Sequence, residues 1–240
     1  MSKIVSIFIW FAITVSGVSV QAQTAETFRL TTADNFDIAA KFFPATNSDD
    51  IRPTLILAHG SVRTKEQWEN VDFVDDLHAA GWNVLTFDIR GRGDSQAPTP
   101  EQRTAPPWAD LDAAVAWALA DPRVDQDRMA MVGESFGANL IVTGMQRAPW
   151  PITTFVSLSA TPSVFVIPFD RNNRLTHGYY VGSINDRIPN VDATARILDA
   201  ITRGQSEALI VDDYAHGTEV LANPETREAV LDWLHQTLDE

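Results

Sequence analysis

The sequence predicts an α/β domain built on a mostly parallel central sheet, with helices on both faces and an antiparallel hairpin at its N-terminal edge. Three observations predict it. Apolar runs of five or six residues begin near Thr54, Asn83, Met129, Thr154, Gly178 and Ala208, and runs without polar alternation suit strands covered on both faces. Most of the segments between them carry apolar residues at helical spacing, so strand and helix alternate as in parallel βαβ units. Ahead of this alternation, Thr27 to Leu30 and Asp37 to Phe43 flank a polar Ala33-Asp34-Asn35 turn, the pattern of a hairpin.

The helical faces follow in order. Trp68, Val71, Val74 and Leu77 place one helix after the first parallel strand, and Trp108, Leu111, Val115 and Leu119 place another behind a Pro106-Pro107 start. The last helix opens with Asn223 as its cap and Pro224 as its first residue, then repeats Val230, Trp233 or Leu234, and Leu238. Tryptophans on these faces read as core. No repeat, low-complexity tract or linker interrupts the pattern, so residues 23–240 read as a single domain large enough to bury its own core.

The first 22 residues read as a signal peptide. Lys3 supplies the charge, Ile4 to Val15 is mostly apolar, and Val20-Gln21-Ala22 offers small residues for cleavage. Ser6, Thr14, Ser16, Gly17 and Ser19 interrupt the segment, leaving it short of the roughly 20 apolar residues of a membrane span. The expectation is an exported protein, periplasmic or secreted, with no stable membrane anchor after cleavage; an uncleaved anchor is the competing reading. The net charge of −14 argues against nucleic acid or an anionic membrane surface as partner, and the scattered acidic residues read as solubility. With no cysteine, disulfides, thiol nucleophiles and thiolate metal sites are impossible. Neither H-E-x-x-H nor H-x-H occurs, so no metal or other cofactor is expected.

One short run carries chemistry. Gly133-Glu134-Ser135-Phe136-Gly137 matches G-x-S-x-G where the apolar strand Met129 to Val132 meets an apolar helix. A serine on such a strand-to-helix turn has strained backbone angles, and its hydroxyl stands clear of the sheet. The Phe136 amide begins the helix and faces the serine as a free donor at the positive end of the dipole. Glu134 is expected to bond to backbone beneath the turn, with acid catalysis as the competing reading. An isolated hydroxyl is a weak nucleophile and needs a neighbouring base.

Four further stretches accompany it. Thr54 to Ala58 runs into His59-Gly60-Ser61, and the next strand into Asp88-Ile89-Arg90-Gly91-Arg92-Gly93-Asp94-Ser95, close to D-x-R-G-x-G-x-S. Strands ending near Ser183 and Val211 are followed by Asn185-Asp186 and His216-Gly217. Over about residues 27 to 238 the chain therefore resembles the α/β-hydrolase superfamily, nearest its compact dienelactone-hydrolase-like or peptidase-like branches. A serine stands where true dienelactone hydrolases use cysteine, so their lactone substrate does not carry over. The resemblance implies an α/β-hydrolase fold, Ser135, Asp186 and His216 as catalytic triad, and the Ser61 and Phe136 backbone amides as oxyanion hole.

Other residues have competing readings. Asp170 is the rival acid one strand earlier. Asp192 reads as a helix cap, Asp212 and Asp213 as parts of the histidine loop, and Asp94 as the cap of the glycine-rich turn. Of the remaining histidines, His59 reads as structural, His78 lies in a helix, His177 begins a strand and His235 sits on the exposed side of the last helix. The stretch from Leu158 to Gly178 is too short for a lid domain, and Val164, Phe165, Val166, Ile167 and Phe169 within it either line an acyl pocket or fold onto the core. The sequence reading is a lidless serine hydrolase cleaving a small or medium carboxylic ester through an acyl-enzyme, with no nucleic-acid partner. A serine peptidase or amidase and a thioesterase share these motifs. A non-catalytic binding protein on a hydrolase scaffold is the reading from another class, and such proteins usually lose a triad member.

Overall fold

The computed structural model describes residues 25–45, 50–100, 107–166 and 174–238, with side-chain detail lacking at 165 and 166. The expected signal peptide, Pro106, Ile167, Phe169 and Asp170 lie outside the described residues. Eight strands form one sheet: β1 (Glu26–Thr31), β2 (Asp37–Phe43), β3 (Arg52–Ala58), β4 (Asn83–Phe87), β5 (Val124–Glu134), β6 (Thr154–Leu158), β7 (His177–Ser183) and β8 (Ser206–Val211). Their spatial order is β1-β2-β4-β3-β5-β6-β7-β8. β1 pairs with β2, and β2 with β4, antiparallel, while every later pairing is parallel.

Among the described residues six α-helices cover the sheet: α1 (Gln67–Asn70), α2 (Phe73–Ala79), α3 (Trp108–Ala120), α4 (Phe136–Arg147), α5 (Val191–Ile201) and α6 (Pro224–Leu238). Because side chains alternate along a strand, each buried strand feeds both faces. Ile56 and Ala58 of β3 and Met129 and Met131 of β5 pack with Leu111, Ile141 and Leu198 from α3, α4 and α5. Leu55, Leu57, Ala130 and Val132 pack on the other side with Trp68, Phe73 and Leu77 of α1 and α2 and with Val230, Trp233 and Leu234 of α6. This two-sided burial is why the strands read as unbroken apolar runs.

Three local expectations are corrected. The helix running from Trp68 through Leu77 is two helices, because Asp72 takes a left-handed conformation at φ 55° and breaks the hydrogen-bond ladder between them. β5 begins at Val124 rather than Met129, its polar residues 125–128 continuing the extended backbone ahead of the apolar run. Asp192 does not cap α5; left-handed Asn190 occupies that position, and Asp192 sits in the first turn, where its charge suits the dipole. At α6 the expected cap is in place, with Asn223 Oδ1 accepting from the Glu225 and Thr226 amides at 2.9 and 3.2 Å.

The loop after β4 is held by two buried ion-pair groups. Arg90 donates through Nε to Asp110 Oδ1 at 2.8 Å and through Nη1 and Nη2 to Asp34 at 2.6 and 3.0 Å. Its guanidinium lies 3.9 Å from the Phe36 ring centroid. These contacts tie the β1–β2 turn to the start of α3, and Arg90 holds the Asp34 carboxyl down to about 2. Asp88, rather than Asp94, caps the glycine-rich turn: it accepts from the Lys65 and Asp94 amides at 2.7 and 3.0 Å and from Lys65 Nζ at 2.8 Å. The Asp94 carboxylate instead meets Lys65 Nζ at 3.1 Å. Asp88 prevails because its side chain starts from inside the loop at zero exposure. Arg90→Met would strand the buried Asp110 charge, with an expected loss of about 3–5 kcal/mol. Urea unfolding checks this, and a loss under about 1 kcal/mol would show that the pair carries little of the loop's stability.

Candidate functional site

Strand order reverses between β3 and β5. From β3 the chain moves to β4 on one side, then returns to place β5 on the other. Loops leaving the carboxyl ends of two such strands diverge and open a crevice, the usual ligand position in a doubly wound sheet. Gly60 and Ser61 leave β3 there, and Ser135 follows β5.

Ser135 has φ 51° and ψ −110°, outside the ordinary regions for a residue with a Cβ. Strain of this kind costs on the order of 1–3 kcal/mol and persists only where neighbours enforce it. Here the Ser135 N–H donates to the Leu158 carbonyl at 2.8 Å, and its carbonyl accepts from Asn139 N–H at 3.0 Å in the first turn of α4. The flanking glycines make the turn possible. A Cβ on Gly133 would meet Ala138 N at 2.6 Å, and one on Gly137 would collide with the Ala58 carbonyl.

The structure brings the distant candidates together. His216 Nε2 lies 2.8 Å from Ser135 Oγ, across 81 residues of sequence. His216 Nδ1 lies 2.7 and 2.9 Å from Asp186 Oδ2 and Oδ1, and the Asp186 side chain is 1% exposed. Asp186 Oδ1 also accepts from Ile188 N–H at 2.7 Å, which fixes the carboxylate plane. Asp212 and Asp213 are engaged elsewhere, by Asn185 Nδ2 and by the Tyr214 amide. With a carboxylate at Nδ1, the imidazole carries its proton there and presents Nε2 as an acceptor toward the hydroxyl.

Glu134 bonds to backbone beneath the turn, as expected for its place, and joins two loops. Its Oε1 accepts from Gly60 N–H and its Oε2 from Thr218 N–H, both at 2.8 Å. Sequence reasoning missed two further supports. Buried Ser159, with φ 56°, accepts the Gly217 amide at 2.9 Å, and no local pattern announces it. Glu219 accepts the His216 amide at 3.1 Å, and a Glu three residues beyond a helical-turn start is a readable capping signal. Arg187, bonded to Glu219 at 2.7 and 3.2 Å, holds its carboxyl below the usual range.

Ser61 and Phe136 sit at the loop after β3 and the start of α4, and among the described residues neither backbone N–H has a protein acceptor. Two cavities open beside them. The smaller, of about 220 Å³, is lined by Ser61, Val62, Arg63, Ser135, Ile188 and His216, among others. The larger, of about 420 Å³, runs along Ser61, Ile89, Arg92, Pro98, Pro107 and Phe136. Val164, expected either in an acyl pocket or on the core, is fully buried in the core. Among the described residues no group of histidine and carboxylate side chains could hold a metal ion, and none of their helices is long and apolar enough to cross a membrane.

His59 is fully buried and forms part of the larger cavity's lining. Its Nε2 accepts from Ile89 N–H at 3.0 Å and its Nδ1 donates to the Gly60 carbonyl at 2.7 Å. Burial pushes its pKa below 6.5, against the opposing pull of the Gly60 carbonyl and Asp88. A histidine depressed on folding contributes stability above its unfolded pKa that is lost as pH falls through the folded value. Ring ¹⁵N shifts should therefore show neutral, Nδ1-protonated His59 persisting below pH 6.5; titration at or above that pH would contradict the burial argument. Glu134→Gln keeps the volume but turns an acceptor into a donor facing one amide, with an expected cost of about 1–3 kcal/mol in thermal or urea unfolding. An unchanged stability would mean that the two amides find other partners.

Comparison with known proteins agrees with the fold. A model of the alpha/beta hydrolase fold matches residues 53–193. An uncharacterized protein of Mycobacterium tuberculosis is 29% identical over 188 residues, which span 75% of this chain and 64% of that protein, so the chain covers less than two thirds of this relative's length. Among solved structures, the esterase Pf2001 of Pyrococcus furiosus is similar at TM-score 0.71 and 19% identity, covering 90% of this chain and 93% of that one. The alpha/beta hydrolase GrgF from Penicillium sp. sh18 is similar at TM-score 0.71 and 15% identity, covering 91% and 100%. Identities this low carry the fold alone. The family model, by contrast, takes in more than half of the chain, including the turn at Ser135 and the loop carrying Asp186, and on that ground the protein belongs to the alpha/beta hydrolase fold family.

Proposed function

We propose that the protein is a serine hydrolase that cleaves carboxylic esters through an acyl-enzyme, with Ser135 as nucleophile, His216 as general base and Asp186 as the acid that orients it. The observation that carries the reading is the continuous line from Ser135 Oγ through His216 to Asp186, at 2.8 and 2.7 Å. In this reading Ser135 Oγ attacks the ester carbonyl carbon while its proton passes to His216 Nε2. The Ser61 and Phe136 amides receive the developing oxyanion, an interaction whose loss costs about a hundredfold or more in rate per donor. On collapse the carbon–oxygen bond to the alcohol breaks and the alcohol leaves with the proton from His216. Water then attacks the acyl-enzyme with His216 again as base, releasing the carboxylic acid and restoring the Ser135 hydroxyl. Asp186 stays ionised and stabilises the imidazolium formed in each half.

The line of three groups also supports cleavage over mere binding, since a scaffold retained only for binding has no need of a strained serine. Labelling with a fluorophosphonate followed by peptide mapping is expected to place the adduct on Ser135 and to yield none in Ser135→Ala. An adduct on another serine, or an active protein without one, would overturn the assignment. Asp186→Asn is expected to lower kcat by about ten-thousandfold, the scale set by the wrong histidine tautomer in a serine protease. The circular-dichroism melting curve should move little, and a full-rate variant would release Asp186 from its role.

A further inference from the structure

The two cavities divide the substrate. In the acyl-transfer reading, on which this inference rests, the leaving alcohol takes its proton from His216 Nε2 and so must depart past that ring. His216 lines the smaller cavity and is absent from the wall of the larger one. The acyl group is thereby assigned to the larger space, bordered by Ser61 and Phe136, the two residues whose amides face the oxyanion.

That larger space has a mixed wall, with polar and apolar surface in near-equal shares. Ile89, Ala97, Pro98 and Pro107 line it with Phe136, which is 37% exposed. Its 420 Å³ falls in the range of small-molecule sites. Two arginines also reach it, and they differ. Arg90 is saturated by Asp34 and Asp110. Arg92 is exposed, bonds only the Gly91 carbonyl at 3.4 Å, and has no carboxylate partner among the described residues. The acidic groups of the adjoining turn, Asp88, Asp94 and Glu66, all engage Lys65 instead. A guanidinium without a carboxylate partner among the described residues, in a chain of net charge −14 and in the wall of a cavity that also carries apolar side chains, is placed to receive a carboxylate. The start of α4 at Phe136 adds the positive end of a 12-residue helix to the same wall.

We propose that the larger cavity is the acyl subsite and that Arg92 in its wall selects acyl groups ending in a carboxylate, so that half-esters of short dicarboxylic acids are preferred over neutral esters of equal length. The apolar side chains hold the methylene chain and the guanidinium holds its far end.

The test compares kcat/KM for 4-nitrophenyl hexanoate and the mono-4-nitrophenyl ester of adipic acid in wild type, Arg92→Gln and Arg92→Lys. The adipate-to-hexanoate ratio is expected to exceed one in wild type, to fall about tenfold in Arg92→Gln and to fall less in Arg92→Lys. Added salt should shrink it. A ratio unchanged by Arg92→Gln would overturn the proposal. Calorimetric binding of adipate to Ser135→Ala, with and without Arg92→Gln, reads the subsite without turnover. Adipate binding that depends on Arg92 in a protein inert toward both esters would remove the hydrolase reading and keep the subsite. Failure of adipate to bind in an Arg92-dependent way would remove the subsite, whatever the activity.

Discussion

One buried carboxylate holds the site together. Glu134 lies between the carboxyl ends of β3 and β6, and its two oxygens take the amides of Gly60 and Thr218 from loops on opposite sides of Ser135. The loop after β3 carries Ser61, and the loop after β8 carries His216. Gly60 lies past the end of β3 and Thr218 in the first turn of the 3-10 helix Gly217–Ala222, where backbone donors need acceptors from elsewhere. A single side chain satisfies one donor in each and sets the spacing between them. The Ser135 strain rests on the same framework, since the turn closes only if β3, β5 and α4 approach as near as Gly133 and Gly137 allow.

Electrostatics divides the molecule in the same economical way. Around the loop after β4, acidic groups outnumber cations, yet each lies against buried Lys65 or Arg90, from fully buried Asp88 and Asp110 to exposed Asp94. Lys65 and its neighbours show the balance at work: burial alone would raise the Glu66 carboxyl, and the lysine beside it wins, bringing it down to about 2. Removing either partner would leave the other desolvated and alone, so the loop's shape is tied to its charge pattern.

Much of the fold was legible because burial on two faces leaves a simple trace, a run such as Leu55-Ile56-Leu57-Ala58 with no polar interruption. The turn at Ser135 was legible because glycine is demanded by contact with neighbouring backbone, and glycine is visible in a sequence. Legibility fails where a conformation is available to an ordinary residue. Asp72 breaks a helix by adopting a left-handed geometry that aspartate tolerates at little cost, and the apolar spacing from Trp68 to Leu77 runs straight across it. The choice between Asp88 and Asp94 turns on which carboxylate starts inside the loop, a matter of three-dimensional entry angle. Ser159 and the two cavities arise only when strands far apart in sequence lie side by side.

The sheet's order also has a temporal side. Ser135 follows a central strand, but His216 and Asp186 hang from the loops after β8 and β7, and β8 is the outermost strand on that edge. Unlike β4 or β6, each buried at every position, β8 has no fully buried residue. Its detachment would expose less apolar surface than that of a central strand, which puts this margin toward the less stable side of the molecule. Such an opening would carry His216 away from Ser135 while the middle of the sheet stayed intact. In the proposed mechanism the Ser135 hydroxyl and the imidazole thus meet only when the margin is closed, and a chain still emerging or half refolded would hold that serine without the histidine beside it.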